Sequence, residues 1–85
     1  MKQVEIYTTG ACPYCRRAKE LLDKKGVAYK ELRVDLDPGL VDEAVKRSNG
    51  RTTVPRIFID GVHVGGCDDL YELEKEKKLD SLLGL

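Results

Sequence analysis

The chain has 85 residues, 41% of them hydrophobic and 35% charged, with fifteen basic and fifteen acidic side chains. A chain of this size admits one domain, expected over residues 1–85, and its apolar share is too high for a disordered tail. With no net charge, no basic arm and no acidic tail, bulk attraction to nucleic acid or to an anionic membrane is disfavoured.

No apolar run approaches the ~20 residues that span a bilayer. Met1-Lys2-Gln3-Val4-Glu5 carries an acid where a signal peptide would be apolar. The expectation is a soluble, cytoplasmic monomer. Three cysteines are too few for a disulfide scaffold. Two of them form Cys12-x-x-Cys15, and a close pair in a reducing compartment points to redox chemistry or to metal.

In chain order, Val4-Glu5-Ile6-Tyr7 alternates apolar and polar residues and reads as a strand. Thr8-Thr9-Gly10-Ala11 is a loop. Pro13 suits a first helical position, where its missing N–H costs nothing. Cys15, Ala18, Leu21 and Leu22 then share one helical face, and Arg16, Arg17, Glu20 and Lys24 take the other. Gly26 stops this helix, expected over residues 13–25. Residues 27–35 read as a second strand. Asp37-Pro38 opens a second helix, with Leu40, Val41, Ala44 and Val45 as its apolar stripe and an end near Ser48-Asn49-Gly50. Arg56-Ile57-Phe58-Ile59 is the third strand, Asp60-Gly61 a two-residue hairpin turn, and Val62-His63-Val64 the fourth. Period-two alternation puts Val62 and Val64 on the core face and His63 on the other. Gly65-Gly66 breaks the strand, and Asp68 or Asp69 caps a third helix with Leu70, Leu73 and Leu79 inward and Leu82 and Leu83 closing its end. The order βαβαββα predicts an α/β fold: a four-stranded mixed sheet with helices on both faces, its first two strands parallel through a right-handed crossover.

Cys12 falls at the N-cap of the first helix. Backbone N–H groups without helical partners and the positive end of the helix dipole point at its sulfur and favour thiolate over thiol. Cys15, three residues on, faces inward, so burial keeps it the poorer thiolate. Cys12 is therefore expected to attack first and Cys15 to resolve. The competing reading is zinc, with His63-x-x-x-Cys67 completing a Cys₃His set. Pro13 and a helix starting at Cys12 fit the redox arrangement better, and His63 is expected to point away, so no metal is expected.

Val4-Glu5-Ile6-Tyr7, Cys12-Pro13-Tyr14-Cys15, Thr53-Val54-Pro55 and Gly65-Gly66-Cys67-Asp68-Asp69-Leu70, in this order and spacing, resemble the glutaredoxins, above all the small bacterial dithiol members. The resemblance covers essentially the whole chain and implies a thioredoxin fold and a glutathione-dependent thiol–disulfide oxidoreductase. It implies a cis Val54–Pro55 bond, with the Val54 N–H and C=O free to pair with an extended substrate. It implies that Gly66, Cys67, Asp68 and Asp69 receive the γ-glutamyl end of glutathione: helix N–H groups for the carboxylate and an Asp for the ammonium. Tyr14 would flank the tripeptide, with Thr53 beside it. Many glutaredoxins carry a lysine shortly before the C-x-x-C. This chain has none there, and Arg51, ahead of Thr53, is the expected substitute, with Arg16 the alternative. The implied partners are glutathione and glutathionylated or disulfide-containing proteins such as ribonucleotide reductase. A donor recharged by thioredoxin reductase and an iron–sulfur carrier are the competing functions.

Overall fold

The computed structural model describes residues 2–50 and 53–85. Its sheet has four strands in the order β2-β1-β3-β4, formed by β1 (Val4–Thr8), β2 (Lys30–Arg33), β3 (Arg56–Ile59) and β4 (Val62–Gly65). β1 runs parallel to β2 and antiparallel to β3, and β4 pairs antiparallel with β3. Four helices complete the described residues: α1 (Pro13–Lys24), α2 (Pro38–Arg47), α3 (Cys67–Lys75) and α4 (Leu79–Leu83). This is the thioredoxin-type arrangement.

Strand alternation divides the interior in two. Val4 and Ile6 of β1 and Ile57 and Ile59 of β3 pack with Ala18, Leu21 and Leu22 of α1, Leu70 of α3, and Leu79 and Leu83 of α4. Tyr7 and Phe58 point to the other face and meet Ala44 of α2. That second cluster is small, since Ala44 is the one buried residue α2 offers.

The helix ends follow from local chemistry. Pro13 stands in the first turn of α1 behind the Cys12 N-cap. Gly26, at φ 70°, lets the Val27 N–H return to the Leu22 carbonyl at 3.1 Å and closes the helix. Asp37 caps α2 through the Gly39 N–H at 3.0 Å.

Four expectations are corrected. The second strand is four residues long, not nine, because residues 27–29 run into it outside the ladder and residues 34–35 already belong to a turn; Val27 is buried all the same. The third helix is capped by Gly66, neither by Asp68 nor by Asp69, and Asp69 serves instead as the third helical residue reaching back. That helix is also broken. Lys77 takes φ 61°, Lys78 N–H bonds the Leu73 carbonyl at 2.9 Å, and the chain turns before α4. The turn lets Leu79 and Leu83 reach the core that holds Leu70. Finally, Val62 does not face the core. It adjoins the Asp60–Gly61 turn and is 67% exposed, while Val64 packs on the larger cluster.

Candidate active site

Cys12, Cys15 and the cleft beside them lie where α1 begins, at the end of β1. The N-cap position holds Cys12 half-buried, with its sulfur accepting a hydrogen bond from the Cys15 N–H at 3.1 Å. Its thiol faces the Val54 carbonyl oxygen at 3.9 Å. A backbone N–H aimed at sulfur binds a thiolate more strongly than a thiol, because the charged acceptor makes the stronger bond. Cys15, one turn inside the helix, is 1% exposed. Burial first, and then the hydrogen bond with Cys12, push its thiol up to about 12. Both cysteines are free thiols in this structure.

Next to Cys12 opens a cleft of about 150 Å³. One wall is Tyr14, more than half exposed on the first turn of α1. The second is Thr53, Val54 and Pro55, where the Val54–Pro55 bond is cis. The third is the start of α3, from Gly66 to Asp69. Eight residues singled out in the sequence are thus brought to one cleft, although they come from three separate segments of the chain. Arg51 lies outside the described residues. Arg16 is exposed on α1 and does not line the cleft.

The α3 wall is built by its glycines. Gly66 passes close to the Pro55 carbonyl, and a Cβ there would stand 3.3 Å from that oxygen. Gly65, at φ 129°, leaves the space that the Asp69 carboxylate fills. Asp69 Oδ2 accepts the Gly66 N–H at 2.8 Å, which commits this carboxylate to the helix start. Asp68 is exposed at the rim. Cys67 lines the cleft and also packs into the larger core, and burial raises its thiol above the usual range. Its side chain is therefore a packing group, not an activated thiol.

His63 does not join this site. Its ring lies 5.0 Å from that of Phe58, on the α2 side of the sheet. Among the described residues, no group of three or more His, Cys, Asp or Glu side chains is placed to hold a metal ion.

Two supports escaped the sequence reading. The loop before Cys12 is pinned by Asp35, which accepts the Gly10 N–H at 3.0 Å and is gripped by Arg33 through bonds of 2.8 and 2.7 Å. A second polar group, Lys19 with Glu31 and Thr8, joins α1 one turn after Cys15 to β2 and the end of β1. Lys19 was readable as the residue one helical turn after Cys15. The carboxylates were not, because only the pairing of β2 with β1 brings them there.

The sequence model of the glutaredoxin family matches residues 4–64. Glutaredoxin 3 of Escherichia coli K12 is 58% identical over 83 residues, which cover 98% of this chain and 99% of that protein. The solution structure of a Brucella melitensis glutaredoxin is 57% identical with a TM-score of 0.84, covering 98% of this chain and 89% of that one. The crystal structure of a buckwheat glutaredoxin–glutathione complex superposes with a TM-score of 0.87 at 33% identity, covering 98% of this chain and 77% of that one.

Proposed function

The chain belongs to the glutaredoxin family of thiol–disulfide oxidoreductases, and on that premise we propose that it uses glutathione as its reductant, with Cys12 as nucleophile and Cys15 as resolving thiol. The observation that carries the proposal is the cleft itself. It joins the start of α3 to the cis Val54–Pro55 segment, whose Val54 carbonyl lies 3.9 Å from the Cys12 sulfur. Those are the features needed to hold a peptide that carries both a carboxylate and an ammonium.

In this reading the γ-glutamyl carboxylate sits on the N–H groups of the first turn of α3. Asp69 is occupied at Gly66, so Asp68 takes the ammonium. The Val54 backbone pairs with the peptide as an added strand would, and Tyr14, Thr53 and Pro55 flank it. Arg51, ahead of this segment, takes the glycine carboxylate. The buckwheat glutaredoxin was crystallised as a complex with glutathione, and its likeness in fold supports this placement.

The Cys12 thiolate attacks the glutathione sulfur of a protein–glutathione disulfide. A Cys12–glutathione disulfide forms and the protein thiolate leaves. A second glutathione thiolate then attacks that glutathione sulfur, releasing glutathione disulfide and Cys12. On protein disulfides Cys15 performs the second attack, giving the Cys12–Cys15 disulfide that glutathione reduces. Disulfides of the ribonucleotide reductase kind are substrates in this reading.

The test is turnover of a glutathionylated peptide with glutathione, NADPH and glutathione reductase. Wild type and Cys15→Ser are expected to turn over, and Cys12→Ser to be inactive. Asp68→Asn should raise KM for glutathione about two- to fivefold, as the loss of one exposed charge pair does. A wild type that is inactive here but is reduced by thioredoxin reductase overturns the proposal.

A further inference from the structure

One helical turn from the buried Cys15 begins a polar chain that the exchange chemistry has not used. Thr8, fully buried at the end of β1, donates its hydroxyl to Glu31 Oε2 at 2.6 Å. Lys19, four residues after Cys15 on α1, donates to the same oxygen at 2.9 Å. Residues four apart on a helix are neighbours on its surface, so Lys19 stands one turn along α1 from Cys15.

Sheet geometry makes the meeting possible. Glu31 stands opposite Ile6 in the parallel β1–β2 ladder. Side chains alternate along a strand, so Thr8 shares the face of Ile6, and that face is covered by α1. The Lys19 side chain is 28% exposed, which is low for an ammonium on a flexible stem that water would otherwise claim. The Thr8 hydroxyl and the Lys19 ammonium together hold the Glu31 carboxyl below its usual range, so the pair stays charged.

We propose that Lys19 is a positioning residue of the resolving step: anchored by Glu31 and Thr8, its ammonium stabilises the Cys15 thiolate as that sulfur attacks the disulfide on Cys12. The proposal rests on the reading of Cys15 as the resolving thiol and deepens it. In the step, Cys15 gives its proton to solvent. A bond forms between the Cys15 and Cys12 sulfurs, the bond from Cys12 to the departing group breaks, and that group leaves as a thiolate. The mixed disulfide supplies the oxidising equivalents, so no other oxidant enters.

Burial opposes ionisation of the Cys15 sulfur most, and Cys12 opposes it too; the Thr9 backbone and the Lys19 ammonium favour it. Lys19 lies one helical turn from Cys15 on α1, and Glu31 from β2, bonded to it at 2.9 Å, is the acid that fixes where that cation stands.

The test isolates the step and needs no glutathione. Cys12 is loaded with thionitrobenzoate at acid pH. After a jump to higher pH, the coloured thiolate expelled by Cys15 is timed by stopped flow. Lys19→Met should slow the release about two- to fivefold at neutral pH, the range of a partly exposed charge interaction. It should also move the inflection of the pH–rate profile to higher pH. Lys19→Arg keeps the charge and should restore both. A Lys19→Met profile that coincides with wild type overturns the proposal. So does slowing by both substitutions with the inflection unmoved, which marks a merely structural role. A wild type that expels no label at all overturns the resolving role of Cys15 and this proposal with it. Because the probe bypasses the peptide cleft, failure of the glutathione reading leaves this assay intact.

Discussion

Two cysteines three residues apart receive different environments because a helix starts between them. Cys12 is held at the edge, where backbone N–H groups and the cleft meet, and Cys15 is turned into the core. With its thiol raised to about 12, chiefly by burial, Cys15 remains protonated at pH 8 and does not compete as a nucleophile. Iodoacetamide at that pH should therefore label Cys12 well ahead of Cys15 in the native protein, and peptide mass mapping reads the order directly. Equal labelling of the two would contradict the assignment of roles. The same shift fixes a sign for stability. An unfolded cysteine ionises near its ordinary value of about 8.5. Between that pH and about 12 the unfolded chain has lost the Cys15 proton while the native state still holds it. Stability is therefore full below the unfolded value and falls as pH climbs through this window. Urea midpoints across the alkaline range should decline less steeply for Cys15→Ala than for wild type.

At the scale of an element, the start of α3 shows how backbone and side chain share one task. Gly65 at φ 129° sits where L side chains are rarely found, and a Cβ there would collide with the Asp69 side chain that closes the helix start. Gly65→Ala should cost about 1–3 kcal/mol, the range of a strained backbone position, read as a lower urea midpoint. Asp69→Ala should cost about 0.5–2 kcal/mol, because it leaves the Gly66 N–H at the helix start without its carboxylate acceptor. The two losses should not add in the double variant, because removing the carboxylate also opens the space the alanine needs. This element also marks where the sequence was and was not legible. The Gly65-Gly66 pair announced a break, and Cys12-Pro13-Tyr14-Cys15 announced a helix start, because both carry their chemistry locally. That Gly66 and not an aspartate forms the cap was hidden, since a glycine cap has no side chain to advertise it. The turn at Lys77 was hidden as well. Residues 76–78 are Glu-Lys-Lys, with no Gly or Pro, and the left-handed residue is imposed by the need of Leu79 and Leu83 to reach the core. The cleft was legible as a set of residues through the family resemblance. Its supports, Asp35 at Gly10 and Glu31 at Lys19, depend on β2 lying beside β1 and no local pattern encodes them.

Across the whole molecule the two faces of the sheet are held by different forces. On the α1 side, twelve buried residues form one apolar cluster, and Lys25 ties α1 to Glu74 and Asp80 at 2.7 and 2.6 Å around its edge. On the α2 side, Ala44 gives little apolar area, and Arg47 does what a large aliphatic residue would do elsewhere. Its guanidinium lies 4.2 Å from the centre of the Phe58 ring, bonds Glu5 at 2.9 and 3.2 Å, and bonds the Tyr7 hydroxyl at 2.8 Å. A planar fork can stack and bond in several directions at once, which an ammonium cannot. Charge-assisted bonds of this kind contribute about 1.5–3 kcal/mol each when partly buried, so Arg47 adds more to the hold on α2 than the small apolar contacts of Ala44 and Leu40 or the Glu43 bond to the Tyr7 hydroxyl. Arg47→Met keeps much of the stem contact and removes the bonds. It should speed amide exchange across α2 while amides of α1 and β1 keep their protection, because local opening follows the weaker set of contacts. Arg47→Lys should restore only part of the protection. The consequence reaches the site, since α2 leads through residues 48–53 into the Val54–Pro55 wall of the cleft. Loosened α2 should therefore raise KM for glutathione while the reaction of Cys12 with a small disulfide, which needs no cleft, stays at the wild-type rate. Uniform loss of protection in Arg47→Met would show instead that the two faces unfold as one unit, with α2 anchored by contacts other than this arginine.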